Sequence, residues 1–275
     1  MKSSRSNPGR VGWVARALAF GSWLWFSGCA VGAPAPVLTL ACEDKADFPN
    51  VLGDSREVDG QRPGASIEFV QLLARELGLR LVIKRLPWKR ALELELKSGA
   101  IDGLFPVSYQ AQREAFGAYP MKDGRADETS SLFVSSYSFY KLRTSPLEWD
   151  GRSLRNLNGS IGASRGYSIV GDLKAMGYKV EESDDVRKDL RRLSQGWLAA
   201  VAALEVAEDH ILESSPEFNR TIVKLQPPIS RKHYYLMLSR QFTAKHPELA
   251  LKLWEKAREL RERELPRILH KYLAK

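Results

Sequence analysis

The chain has 275 residues, enough for one large domain or two lobes, and its 44% hydrophobic content can fill a packed core, which excludes a disordered chain. A mean hydropathy of −0.32 excludes a polytopic membrane protein, and two Cys exclude a disulfide scaffold or zinc ribbon. The formal charge of +9 comes from Lys and Arg interleaved with Asp and Glu, as in Arg261-Glu262-Arg263-Glu264, and this solvated pattern gives no one-sided stripe for nucleic acid.

Met1 to Arg16 is basic, and Ala17 to Phe26 is apolar. That apolar run is too short for a membrane anchor, which takes about twenty residues, so residues 1–28 read as an export signal peptide. Phe26-Ser27-Gly28-Cys29 is similar to a bacterial lipobox, with Phe26 where Leu is usual. Cleavage there would leave Cys29 lipidated; ordinary cleavage near Gly32 would not. Residues 29–36, with Pro34 and Pro36, read as a tether. Cys42 sits in an apolar run and reads as a buried structural thiol, with a Cys29–Cys42 disulfide as the alternative.

Val37–Cys42 is predicted to be a strand. Ser66 is expected to cap a helix that runs to Leu77 and stops at Gly78, because Ile67, Phe69, Val70, Leu73, Ala74 and Leu77 follow helical spacing. A strand at Leu81–Ile83, a helix over Trp88–Lys97 and a strand at Ile101–Phe105 follow. This β-α-β-α-β order implies a parallel sheet with helices on both faces. Ser131–Leu142 is extended and aromatic, and long enough to cross between two lobes.

A second unit repeats the pattern. Its strands are Ser160–Ala163, Tyr178–Glu182, Ala199–Val206 and Ile222–Leu225. Its helices are Tyr167–Met176, Val186–Gln195 and a short one from Ala207. Lys232–Ser239 is a candidate return crossover. An amphipathic helix from Pro247 is expected to be interrupted at Pro266. The fold class is therefore α/β, with two lobes and a cleft at the carboxyl ends of strands.

Several segments, in order, carry a family resemblance. They are Gly64 to Phe69, Pro87-Trp88-Lys89-Arg90-Ala91-Leu92, Leu96 to Gly103, Ser108 to Arg113, Ile161 to Ser168, and Gln195-Gly196-Trp197-Leu198. Together they resemble the family 3 bacterial solute-binding proteins, the type II periplasmic binding proteins of polar amino-acid ABC transporters. The resemblance covers Val37 to Leu273. It implies a two-lobed type II periplasmic binding protein fold with two extended hinge crossovers. Lobe 1 would be residues 37–140 plus 236–275, and lobe 2 residues 141–235. It also implies a periplasmic, monomeric binding protein, not an enzyme, with no cofactor and no metal. Such a protein captures a small carboxylate-bearing solute, an amino acid or derivative, and passes it to an ABC permease or reports it to a membrane sensor.

The family's site falls on named residues. Arg113 would grip the solute carboxylate with its planar donor fork. Ser108 stands where the family places a Thr hydroxyl on the same carboxylate. Tyr167 and Ser168 open a helix whose N-terminus favours an anion. Trp88 either contacts the ligand or packs in the core. One departure matters: the ammonium-binding Asp of the family falls on Leu204, with Glu205 one residue on. Either Glu205 takes that task or the ligand is not an ordinary α-amino acid. Glu43, ending the first strand, is either a contact for a ligand cation or a solvated loop acid.

Two enzyme readings compete. Gly162-Ala163-Ser164-Arg165-Gly166 matches the Gly-x-Ser-x-Gly nucleophile elbow, with His210, His233 or His246 downstream as a base. The plainer reading makes Ser164 a turn residue of the cleft. A periplasmic dehydratase on the same fold would instead use Glu43 or Glu205 as acid or base.

Overall fold

The computed structural model describes residues 35–274. The segment read as a signal peptide, Cys29 and the segment read as a tether up to Pro34 lie outside these residues. The first half runs β1 (Val37–Glu43), α1 (Ala65–Glu76), β2 (Arg80–Leu86), α2 (Trp88–Arg90, continued by wide turns over Ala91–Leu96) and β3 (Gly103–Ser108). A tight turn of helix at Ala111–Ala115 and a small hairpin, β4 (Met121–Lys122) and β5 (Arg125–Ala126), lead to the long β6 (Phe133–Leu142). A second small hairpin, β7 (Glu148–Trp149) and β8 (Leu154–Arg155), precedes β9 (Ile161–Ser164), α3 (Ser168–Ala175), β10 (Val180–Ser183) and α4 (Val186–Ser194). Then come β11 (Ala200–Leu204), α5 (Glu205–Ser214), α6 (Pro216–Asn219), β12 (Ile222–Lys224), β13 (Ser230–Leu238), α7 (Arg240–Lys245) and α8 (Pro247–Leu273).

The large sheet has the order β10-β9-β11-β6-β13-β3-β1-β2, with β12 on β6. β1 pairs in parallel with β2 and β3, and β9 pairs in parallel with β10 and β11. The two parallel triplets are joined by β6 and β13, which run antiparallel to each other and to their neighbours. These are the two extended crossovers, so the chain passes twice between two halves of like construction.

Alternation along the strands builds a core on each face. Leu38, Leu40 and Cys42 of β1 face α1 and α8, while Ala41 faces the apolar side of α2. In β11, Ala200, Ala202 and Leu204 face α3, and Val201 and Ala203 face α4 and α5. Cys42 is fully buried, and burial pushes its thiol up to about 12, which makes it inert filling.

Four local expectations change. Ser66 does not cap α1; Gly64 does, at φ 112, where a Cβ would lie 2.4 Å from the Asn50 carbonyl oxygen. Ser66 sits one residue inside the helix and donates to Asn50 Oδ1 at 3.2 Å. The third strand starts at Gly103, not Ile101, because Asp102 accepts the Thr39 N–H at 2.7 Å and turns the chain first. The strand predicted over Ala199–Val206 ends at Leu204, and α5 begins at Glu205. Pro266 lies inside an unbroken α8. The cost of about 3 kcal/mol for such a proline is met by packing: Leu265, Ile268 and Tyr272 are buried, and Tyr272 Oη donates to Glu68 at 2.8 Å.

Candidate functional site

Strand ends and one helix start converge on a small cavity between the two halves. Glu43 ends β1, Ser108 ends β3, Leu204 ends β11, and Ser168 opens α3 behind its cap residue Tyr167. These residues line the cavity with Trp88 and Arg113. Six of the seven expected ligand contacts are therefore brought together: Glu43, Trp88, Ser108, Arg113, Tyr167 and Ser168.

Arg113 is 4% exposed and forms no ion pair among the described residues. Its Nη1 donates to Ser108 O and to Ser108 Oγ, both at 2.8 Å, and its Nη2 donates to Gly166 O at 3.0 Å. The guanidinium stands 5.4 Å over the Trp88 ring. A buried cation satisfied only by neutral acceptors keeps its charge uncompensated. Three of its five donors are engaged, so its fork still has N–H groups to offer an anion.

Contacts across the cleft surround it. Ser108 Oγ donates to Ser168 Oγ at 3.0 Å, and Gln110 Nε2 donates to Ser168 O at 3.1 Å. Trp88 Nε1 donates to Gly166 O at 3.1 Å. Tyr167 Oη donates to the Glu43 carboxylate, and Phe48 stacks on His210 with centroids 3.7 Å apart. Gly166 has φ 72, and a Cβ there would lie 2.9 Å from Lys89 Cγ and 3.3 Å from Trp88 Cδ1. Only glycine meets both the backbone and the approach.

The opposite pole of the cavity is acidic. Burial, the largest cause, pushes the Glu43 carboxyl up to about 8 against the opposing hydrogen bond from Tyr167. Burial likewise raises Asp47 to about 6. By surface area both residues are half-buried. Tyr137 and Tyr234 close the wall, with Tyr234 Oη donating to Tyr137 Oη at 3.0 Å.

Glu205 does not join the site. Leu204 turns toward the cavity, and Glu205 starts α5 on the other side, where its Oε1 accepts from Ser138 Oγ at 2.8 Å and faces Lys224 Nζ at 3.7 Å. Of the two candidates for a ligand cation, only Glu43 lies at the cavity. Ser164 borders the outer cleft, and among the described residues no histidine hydrogen-bonds to it. Sequence reasoning missed Asp47, Tyr137 and Tyr234. Their signal was present: Asp47 is in the acidic loop after β1, and both tyrosines lie on the crossovers.

The inner cavity has a volume of about 30 Å³, room for one or two waters, whereas ligand sites usually span about 300–1,000 Å³. Two outer compartments of about 360 and 480 Å³ share lining residues with it, and Tyr167 borders all three. Among the described residues no helix is long and apolar enough to cross a membrane.

No family model and no curated protein matches the chain by sequence. Solved structures do match in three dimensions. A histidine kinase sensor domain with similarity to periplasmic binding proteins superposes with a TM-score of 0.70 at 18% identity, covering 88% of this chain and 97% of that one. The amino-acid ABC transporter substrate-binding protein AbpA of Streptococcus pneumoniae, bound to L-arginine, gives 0.67 at 17% identity, covering 86% and 93%. The GluR0 ligand-binding core of Nostoc punctiforme, in complex with L-glutamate, gives 0.66 at 14%, covering 87% and 100%. At these identities the likeness speaks for architecture, and it agrees with the strand order and double crossover: this chain has the two-lobed α/β fold of the type II periplasmic binding proteins.

Proposed function

We propose that this chain is an exported solute-binding protein that captures a small carboxylate-bearing solute, an amino acid or derivative, between its lobes. The observation that carries the reading is Arg113: a buried guanidinium without a counter-ion among the described residues, beside the Ser168 end of α3. An entering carboxylate would take the fork bidentately and gain the helix N-terminus. Glu43 and Asp47 would face the solute's ammonium. A cavity of about 30 Å³ admits no amino acid, so the lobes open about β6 and β13 and close over the solute. In this reading lobe 1 is residues 37–140 plus 236–275 and lobe 2 is residues 141–235. The partner is an ABC permease or a membrane sensor, in keeping with what the structural neighbours are, and Cys29 is the lipid-bearing residue.

Thermal-shift and calorimetric screening of the chain from Cys29 onward against amino and organic acids tests the reading. Arg113→Ala should weaken the best carboxylate ligand by about 30- to 1,000-fold, the loss expected for a buried charge-assisted pair. The ligand-free melting temperature should change little, because the variant also removes an uncompensated buried charge. Unaltered affinity, or a ligand-free protein that no longer folds, overturns Arg113 as the carboxylate grip.

A further inference from the structure

The large sheet ends in β2, and that edge is open. The Arg80 N–H donates to Pro36 O at 2.9 Å, and Leu86 O accepts from the Asp44 N–H at 3.1 Å. The even-numbered residues of β2 therefore turn their backbone toward β1, and Leu81, Ile83 and Arg85 turn theirs outward. The N–H and C=O groups of Leu81 and Ile83 have no hydrogen-bond partner among the described residues. The Arg85 guanidinium closes one end of the edge: it donates to Glu43 O at 3.2 Å and to Leu52 O at 2.9 Å, which fastens the β1–α1 loop there.

The side chains at this edge divide by face. On the α1 face Leu81 and Ile83 join Arg56, Glu57, Val58 and Gln71 around a groove of about 430 Å³. Leu81, Ile83 and Val58 are only half-buried against the core behind it, and Arg56 is offset by Glu57. On the opposite face stand Arg80 and Lys84. Both are exposed, and neither side chain makes an ion pair or hydrogen bond among the described residues. Their register partners on β1 are Val37 and Ala41, which carry no charge.

We propose that β2 is a docking edge for an extended segment of a partner protein in which apolar and acidic residues alternate. Such a segment adds a strand to the sheet. Its backbone meets the free groups of Leu81 and Ile83, its apolar side chains enter the groove, and its carboxylates face Arg80 and Lys84. Other occupants fail on charge. Residues 1–34 of this chain contain Lys2, Arg5, Arg10 and Arg16 and no acid. The β2 strand of a second copy would bring further cations to Arg80 and Lys84. The acidic strand β10 at the other end of the sheet has its carboxylates engaged, Glu181 by Arg192 and Glu182 by Lys174. None of Arg80, Leu81, Ile83 and Lys84 lines the inner cavity, so docking is separable from solute capture.

Fluorescence anisotropy on the purified protein tests this with three labelled peptides. They are acetyl-Glu-Val-Glu-Val-Glu-Val-Glu-amide, its counterpart with Lys for every Glu, and a peptide of the acidic composition with all valines in one block. At about 50 mM salt the alternating acidic peptide should bind at least about tenfold tighter than either of the others. Hydrogen exchange of the Leu81 and Ile83 amides should slow at least about tenfold when it binds. Reversing both charges, Arg80→Glu with Lys84→Glu, should transfer the preference to the lysine peptide. Ile83→Pro removes one outward N–H and leaves the β1 ladder intact, so it should weaken both alternating peptides. If that variant does not fold, the charge reversal still decides. Equal binding of the three peptides, binding of none, or binding that leaves the two amides unprotected overturns the docking edge. Arg80 and Lys84 would then serve only to keep the edge from pairing with itself. Self-association of the wild type that protects the same amides overturns it as well, in favour of a second copy.

Discussion

Arg113 and Glu208 are buried groups of opposite kind, and each sets a different observable. Arg113 is a buried cation with no ion pair among the described residues, so in the proposed reading its effect is read in binding. Glu208 is held protonated by burial, so its effect is read in stability. The folded chain keeps the Glu208 proton up to about pH 8, while an unfolded glutamate loses it near about 4.3. Between those values the folded state binds more protons, and stability falls as pH rises. The contribution is fully present below the unfolded value and gone above the folded one. Glu43, raised to about 8, and Asp47, raised to about 6, act with the same sign over their own windows. Melting temperature should therefore decline from pH 5 to pH 8, and Glu208→Gln should flatten part of that slope. An unchanged slope in the variant would show that Glu208 is not buried as a neutral acid.

The turn between β9 and α3 is the element that brings the lobes together. Its Gly166 carbonyl accepts from both Arg113 and Trp88, and its missing side chain lets Lys89 and Trp88 approach. Gly166→Ala adds a left-handed alanine, costing about 1 kcal/mol, and a methyl in the closing gap. Closure should suffer more than folding does. Small-angle scattering should show the saturated variant still expanded relative to the saturated wild type, with affinity lowered at least about tenfold. A variant that compacts normally would mean that this approach does not govern closure. The turn itself was legible in the sequence, as were the strands of the large sheet and the longer helices, because Gly78, Gly99, Gly177 and Gly196 punctuate clean apolar periods; the hairpins β4–β5 and β7–β8 and the short α6 and α7 carried no such pattern. Two kinds of detail were misread. The Ser66 cap and the Pro266 break were read from local propensity, and tertiary packing against Asn50 and Glu68 overrode both. Glu205 was read from the family resemblance, as the residue next to the Leu204 position where the family has its Asp. A single-residue difference in where β11 ends decides which side chain meets the cleft, and periodicity does not resolve that. Asp47, Tyr137 and Tyr234 become site residues only when the crossovers bring distant segments side by side.

At the scale of the whole molecule, two halves of like construction meet along a seam crossed by few covalent links and many weak contacts. That seam also contains an optical reporter. Trp88 is 8% exposed, with its indole against the Gly166 turn and the Arg113 guanidinium. Trp149 lies 7% exposed within the second half and donates to Pro227 O, and Trp197 is 67% exposed. Parting of the lobes changes the surroundings of Trp88 while leaving those two as they are. Water reaching its ring should move its emission to longer wavelength, and withdrawal of the guanidinium should alter its intensity. A solute that closes the lobes should thus shift tryptophan emission to the blue, and Trp88→Phe should abolish the shift. Stopped-flow fluorescence would then record the closing step directly, with no attached label.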